Sequence, residues 1–232
     1  LEFRRVLFRS PALPVGQEAA ADVPVVLARG ANDEVRIAVE ERAGRNLPFR
    51  TVRTGAGRTI ELVQATLRHD GRTIVIARAW LMQTRDTAAL AGSPLPAIPG
   101  PGEMPSWDPT TVWQGGYIAS AEVRRLDLGP GRASYWVRTA QPLLEGEAVS
   151  KLASAATLFD IANGMAVRVD PTEVAYPNLD LTVHLFDEPR TEWLGFDTSV
   201  SFGRNGIGLT HTILHDERGP VGSVSQILTV RP

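Results

Sequence analysis

The stretch Leu67–Trp80, LRHDGRTIVIARAW, has an echo near the other end of the chain in Leu214–Gln226, LHDERGPVGSVSQ. Both carry a His-Asp pair and a glycine in a turn, after an alternating run and before small and apolar residues. An echo at this distance implies two copies of one structural unit, and it constrains the fold more than any single motif. In the first copy, VRIAVE (35–40) and LPFRTVRT (47–54) alternate as half-buried strands do. RTIELVQATLRHD and GRTIVIARAWLMQ then read as a hairpin with HDG at its tip. In the second, LDLTVHLF (179–186) and EWLGFDTSVSF (192–202) precede a closing hairpin, IGLTHTILHDE with GPVGSVSQILTV. Allowing a one-residue slip in the hairpin, Trp80 falls where Gln226 does.

Each copy also has a helical candidate. EAVSKLASAATLFDIANG (147–164) reads as a helix closed by Asn163-Gly164. PVGQEAAADVPVVLARGAND (14–33) permits a helix ending near Gly30, although Pro24 and the β-branched pair Val25-Val26 oppose it. Two further strands, around the turn GPG at 129–131, precede the second helix and have no counterpart in the first copy. The expected fold is therefore α+β. It has two antiparallel sheet units, each wrapping a long helix on its buried face, with the first unit N-terminally truncated.

The expected boundaries are a first repeat over 11–93, a Pro-rich linker over 94–110 and a second repeat over 111–232. The linker holds six prolines between Pro94 and Pro109, and proline cannot donate to a helix or a sheet ladder. Residues 1–10, LEFRRVLFRS, back-translate into a stretch resembling read-through of a sequencing-library adapter, and are expected to be a non-native tail.

Composition narrows the chemistry. The net charge is -2 with the signs interspersed, so nucleic acid and an anionic membrane are not expected partners. With no cysteine there is no disulfide, thiolate nucleophile or thiolate metal site, and a cytoplasmic location is expected. The four histidines lack helical ligand spacing; His69 and His215 read as exposed hairpin tips, and no metal or other cofactor is expected. GSVSQ is not the G-x-S-x-G elbow that serine catalysis would need.

Three polar residues stand out. Leu152, Ala156 and Phe159 share one helix face, and Asp160, four after Ala156, points into or beside it. A carboxylate there is either satisfied by a partner or placed for chemistry, such as polarising a water. Gln226 alternates with Val224 and Leu228 and so faces inward, where an amide can donate and accept at once. Asn178, just before a strand, is equally readable as turn chemistry, and Asp180 could take its place. Tyr135, Trp136, Trp193 and Phe196 read as sheet packing, with room for one or two to line an apolar tunnel.

The segments QPLLEGEAVSKLASAATLFDIANGM, PNLDLTVHLFDEPRTEWLGFDT and GIGLTHTILHDERGPVGSVSQILTV resemble the acyl-CoA thioesterases of the double hotdog, type II family. The resemblance covers about Trp136–Pro232, and the first copy matches only loosely. It implies an acyl-CoA substrate, hydrolysis by water without a covalent intermediate or a cofactor, and a possible homo-oligomer. It also implies that Asp160, Asn178 and Gln226 hold and activate that water. The CoA phosphates would meet surface arginines, with Arg124, Arg125, Arg138 and Arg190 as candidates. Two alternatives are a non-catalytic acyl-ligand binding protein and a hotdog enoyl-CoA hydratase. The hydratase would want a His soon after the helix Asp, and FDIANGMAV has none.

Overall fold

The computed structural model describes residues 59–69, 72–143 and 148–232, preceded by the strand segments 7–8, 25–29, 35–39 and 49–56; for those segments and His69 the backbone alone is described. The chain divides into two compact units, Leu1–Leu95 and Pro96–Pro232.

In the first unit the strands are β1 (Leu7–Phe8), β2 (Val25–Arg29), β3 (Val35–Val39), β4 (Phe49–Ala56), β5 (Ile60–His69) and β6 (Arg72–Met82). β2 pairs antiparallel with β3, and β4, β5 and β6 form an antiparallel meander. The helix expected to run to Gly30 is overturned over its last part: Val25–Arg29 is a strand. Its β-branched start prefers a pleated surface to a helical turn. The rest of that segment, residues 14–24, lies outside the described residues.

In the second unit β7 (Ser106–Trp107), β8 (Ala121–Asp127), β9 (Arg132–Thr139), β10 (Leu181–Leu185), β11 (Leu194–Phe202), β12 (Ile207–Asp216) and β13 (Gly219–Thr229) form one sheet. Its order is β10-β13-β12-β11-β9-β8-β7, antiparallel throughout. The Pro-rich segment contributes the edge strand β7. It also crosses part of the sheet, where Trp136 Nε1 donates to Pro99 O at 2.7 Å and His215 Nε2 lies 3.1 Å from Pro96 O. His215 is buried, not an exposed tip as expected, and Asp216 is buried beside it. The turn instead exposes Glu217 and Arg218. Whether His69 is exposed lies outside the described side chains.

One face of this sheet is the core. Register lines up Tyr135, Phe196 and Leu214, then Ala133, Thr198, Thr212 and Val224, then Val200, Thr210 and Gln226, all buried. Against it lies the helical run after residue 150, which is not the single long helix expected. After the single turn α1 (Gly116–Ala119) that precedes β8, this run consists of α2 (Lys151–Ala156), a 3₁₀ turn at Phe159–Ile161 and α3 (Ala162–Met165). Ser150 caps α2 by accepting from Ala153 N at 3.2 Å. The break follows from Thr157, whose hydroxyl bonds back to Ser154 O at 2.6 Å while its amide takes the tighter three-residue bond to the same carbonyl.

Asn163-Gly164 does not close the run by a left-handed turn; both residues lie within α3. Its last carbonyls find side-chain donors instead: Tyr135 OH on Ala162 O at 3.1 Å, Trp113 Nε1 on Gly164 O at 2.7 Å, and Arg125 Nε on Met165 O at 2.8 Å. These bonds answer the orphan acceptors that every helix end leaves. Leu152, Ala156 and Phe159 are buried, as the shared-face reading requires. Among the described residues no helix is long and apolar enough to cross a membrane.

The two hairpins match more closely than the sequence alone shows. The β5–β6 ladder shifts register after Leu67 and the β12–β13 ladder after Leu214. Leu67 pairs with Val75 and Leu214 with Gly222, eight residues apart in each case, so no slip is needed. Val63 pairs with Ala79 where Thr210 pairs with Gln226. Ala79, not Trp80, therefore occupies the place of Gln226. Trp80 points the other way and is 48% exposed.

Candidate active site

Asp160 stands in the 3₁₀ turn, half-buried, and the break in the helix aims it at the sheet. Gln226 comes from β13, 1% exposed, with Val224 and Leu228 buried on the same face. Asn178 lies just before β10, held by a bridge to Leu228 and by the bond from Leu179 N to Ile227 O at 2.9 Å. Three separate segments thus bring three polar side chains to one point. Gln226 Nε2 donates to Asp160 Oδ1 at 2.7 Å, and Asn178 Nδ2 donates to the same oxygen at 2.9 Å. Two neutral donors on one oxygen suit an ionised carboxylate, which only accepts.

Gln226 Oε1 is buried and has no hydrogen-bond partner among the described residues. With the amide nitrogen committed to Asp160, this oxygen is an acceptor aimed at any donor that enters the site. Asp180, the alternative to Asn178, is spent elsewhere: its Oδ1 accepts from Ile227 N at 3.0 Å. Asn163 is the residue sequence reasoning missed. Its Nδ2 donates to Tyr176 O at 3.1 Å and its Oδ1 accepts from Thr210 Oγ1 at 3.1 Å. Asn-Gly at the end of an apolar pattern reads as a stop, and only the three-residue spacing from Asp160 hinted at a shared neighbourhood.

The surroundings are hydroxyl-rich. Thr198 Oγ1 lies 2.8 Å from Thr212 Oγ1 and 3.0 Å from Tyr135 OH. Burial pushes the Tyr135 phenol far above its ordinary range, so it stays neutral. Tyr135 stacks on Phe196 with centroids 5.0 Å apart, and both are packing residues, as is buried Trp136. Trp193 differs: the Arg138 guanidinium lies 4.5 Å over its ring, and both border a cleft of about 510 Å³ that also meets Lys151 and Leu158. Asp160, Asn178 and Gln226 do not line that cleft.

Of the four arginines considered, Arg125 is tied to Met165 O and Asp127, and Arg138 is paired with Glu122. Arg124 lies 3.6 Å from Glu122, and Arg190 has the most exposed side chain of the four. No group of three potential metal ligands occurs among the described residues.

A family model for the acyl-CoA thioesterase C-terminal domain matches residues 88–230, more than half of the chain and a range that includes Asp160, Asn178 and Gln226. The chain belongs to this family. Among solved structures, the acyl-CoA thioesterase II TesB2 of Mycobacterium marinum is 20% identical with a TM-score of 0.61, covering 90% of this chain and 81% of that one. A conserved protein of unknown function with a hot dog fold from Alicyclobacillus acidocaldarius is 15% identical with a TM-score of 0.63, covering 94% and 82%. The dehydratase domain from the CurJ module of curacin polyketide synthase is 13% identical with a TM-score of 0.50, covering 91% and 77%. At these identities the likeness is one of fold, an α+β hotdog. No curated protein matches the sequence. Membership of the thioesterase family is what gives the Asp160 constellation its chemical context.

Proposed function

We propose that this thioesterase-family protein hydrolyses acyl-CoA to the free acid and CoA by direct attack of water, with Asp160 as general base. The observation that carries this is the convergence of Gln226 Nε2 and Asn178 Nδ2 on Asp160 Oδ1. The two amides fix the carboxylate's orientation, as a second group fixes the base in other hydrolytic sites. A water that donates one proton to the carboxylate and the other to Gln226 Oε1 is held with a lone pair free for the thioester carbon.

As the oxygen–carbon bond forms, Asp160 takes the proton. When the tetrahedral oxyanion collapses, the carbon–sulfur bond breaks, the CoA thiolate leaves, and the proton returns to sulfur. Neither a metal nor an acyl-enzyme is required. The hydratase alternative would want a His soon after Asp160, and the stretch 159–167, FDIANGMAV, has none.

The first unit is read as a second hotdog repeat in the same chain, with matching bulged hairpins but an apolar pair, Val63 and Ala79, where the catalytic unit has Thr210 and Gln226. Thiol release from acyl-CoAs of graded chain length tests the function. Turnover of about 1 s⁻¹ or more on at least one chain length is expected. Saturable binding of acyl-CoA without release of thiol would establish the ligand-binding alternative instead.

A further inference from the structure

Resting on the hydrolytic reading of Asp160, we propose that Asn163 and Thr210 are positioning residues that set the distance between the base and Gln226. Asn163 lies three residues after Asp160 on the same short helical run. Its side chain touches the segment that carries Asn178 and the strand β12, which pairs with the strand that carries Gln226. The amide nitrogen donates to Tyr176 O at 3.1 Å, two residues before Asn178. The amide oxygen accepts from Thr210 Oγ1 at 3.1 Å. Thr210 is fully buried and is the cross-strand partner of Gln226. One carboxamide therefore ties the helical run that carries Asp160 to the segment that carries Asn178 and, through the Thr210 hydroxyl on β12, to the strand paired with Gln226, yet neither Asn163 nor Thr210 bonds to those groups in the contacts described.

The geometry needs such a link. The helical run is interrupted at Thr157, so Asp160 is not held by a continuous helix ladder. Its amide donors come from β13 and from a segment outside any strand. Displacement of a base by about 1 Å can cost about 10²-fold in rate without altering binding. Thr210 has a further distinction: the corresponding residue of the first unit's hairpin is Val63, which cannot donate.

The test uses the full chain and compares wild type with Thr210→Val, Thr210→Ser and Asn163→Ala, together with Asp160→Asn, all by thiol release and corrected for folded fraction. The expected result is a fall in kcat of roughly 10- to 100-fold for Thr210→Val and for Asn163→Ala, with KM changed less than about threefold. Thr210→Ser, which keeps the hydroxyl, should recover most of the lost kcat. A purely structural role would lower the unfolding temperature while leaving kcat per folded molecule unchanged in all three. That outcome, or failure of Ser to rescue, overturns the proposal. If Thr210→Val does not fold, Asn163→Ala decides by the same criterion, since its site is only partly buried. The Asp160→Asn arm is separate: full activity there refutes the hydrolytic reading, whereas its loss beside an unaltered kcat in Thr210→Val and Asn163→Ala refutes only the positioning role.

Discussion

One carboxylate oxygen with two amide donors makes unequal predictions for the donors. Gln226 supplies both the shorter bond to Asp160, 2.7 Å, and the unpartnered buried acceptor. Gln226→Ala should therefore lower kcat roughly 10²-fold. Asn178→Ala, which leaves the Gln226 bond in place, should cost only about 10-fold. Equal losses in steady-state thiol release would contradict this division. The placement of both residues was legible in the sequence, because helix spacing put Asp160 beside an apolar face and alternation put Gln226 between Val224 and Leu228, while their grouping with Asn178 came from the family resemblance. His215 was misread because a polar residue near a turn looks exposed, whereas the Pro-rich segment crosses the sheet there and puts Pro96 O 3.1 Å from its Nε2. Trp80 was set against Gln226 because paired bulges cannot be seen without knowing which residues pair.

At the scale of elements, strands β8 to β13 were readable from apolar runs and the turns between them, whereas β7 lies in the stretch read as a linker and Gly116–Ala119, just before β8, is a helical turn. The break in the helical run was not readable, because the choice between a four- and a three-residue bond at Thr157 depends on its hydroxyl and on partners far along the chain. Tyr117 OH, for instance, donates to Thr157 O at 2.7 Å. Two predictions belong here. Gly195 lies opposite both Trp136 and His215 in register, and a Cβ on it would sit 2.7 Å from the Trp136 ring and 2.9 Å from His215 Cβ. Gly195→Ala should cost roughly 1–3 kcal/mol in denaturant unfolding.

The second concerns Tyr176, which packs against Trp113 and Phe202 with centroids 5.9 and 5.3 Å away. Burial, with a smaller contribution from Asp170, pushes its phenol up to about 12. A group whose folded value is raised contributes stability that is complete below its unfolded value of about 10 and lost as pH rises through the folded value. The unfolding temperature should therefore drop between about pH 10 and pH 12, and Tyr176→Phe should remove part of that drop. An identical alkaline profile in the variant would show that Tyr176 is not its source.

For the whole molecule, the echo predicted two copies of one unit, and the proposed repeat rests on two hairpins that shift register at matching places, after Leu67 and after Leu214. The hairpins differ in chemistry. Buried Val63, Ala65 and Ala79 stand in the first where buried Thr210, Thr212 and Gln226 stand in the second. The proposed hydrolytic site draws on the second of these sets, so calorimetric titration of Asp160→Asn with a non-hydrolysed acyl-CoA should give a stoichiometry of about one. The measurement that bears most directly on the account is the thiol-release rate of Asp160→Asn against wild type, at equal folded concentration. The account predicts a loss of about 10³-fold or more with the unfolding temperature little changed. A variant that hydrolyses acyl-CoA at the wild-type rate would contradict it.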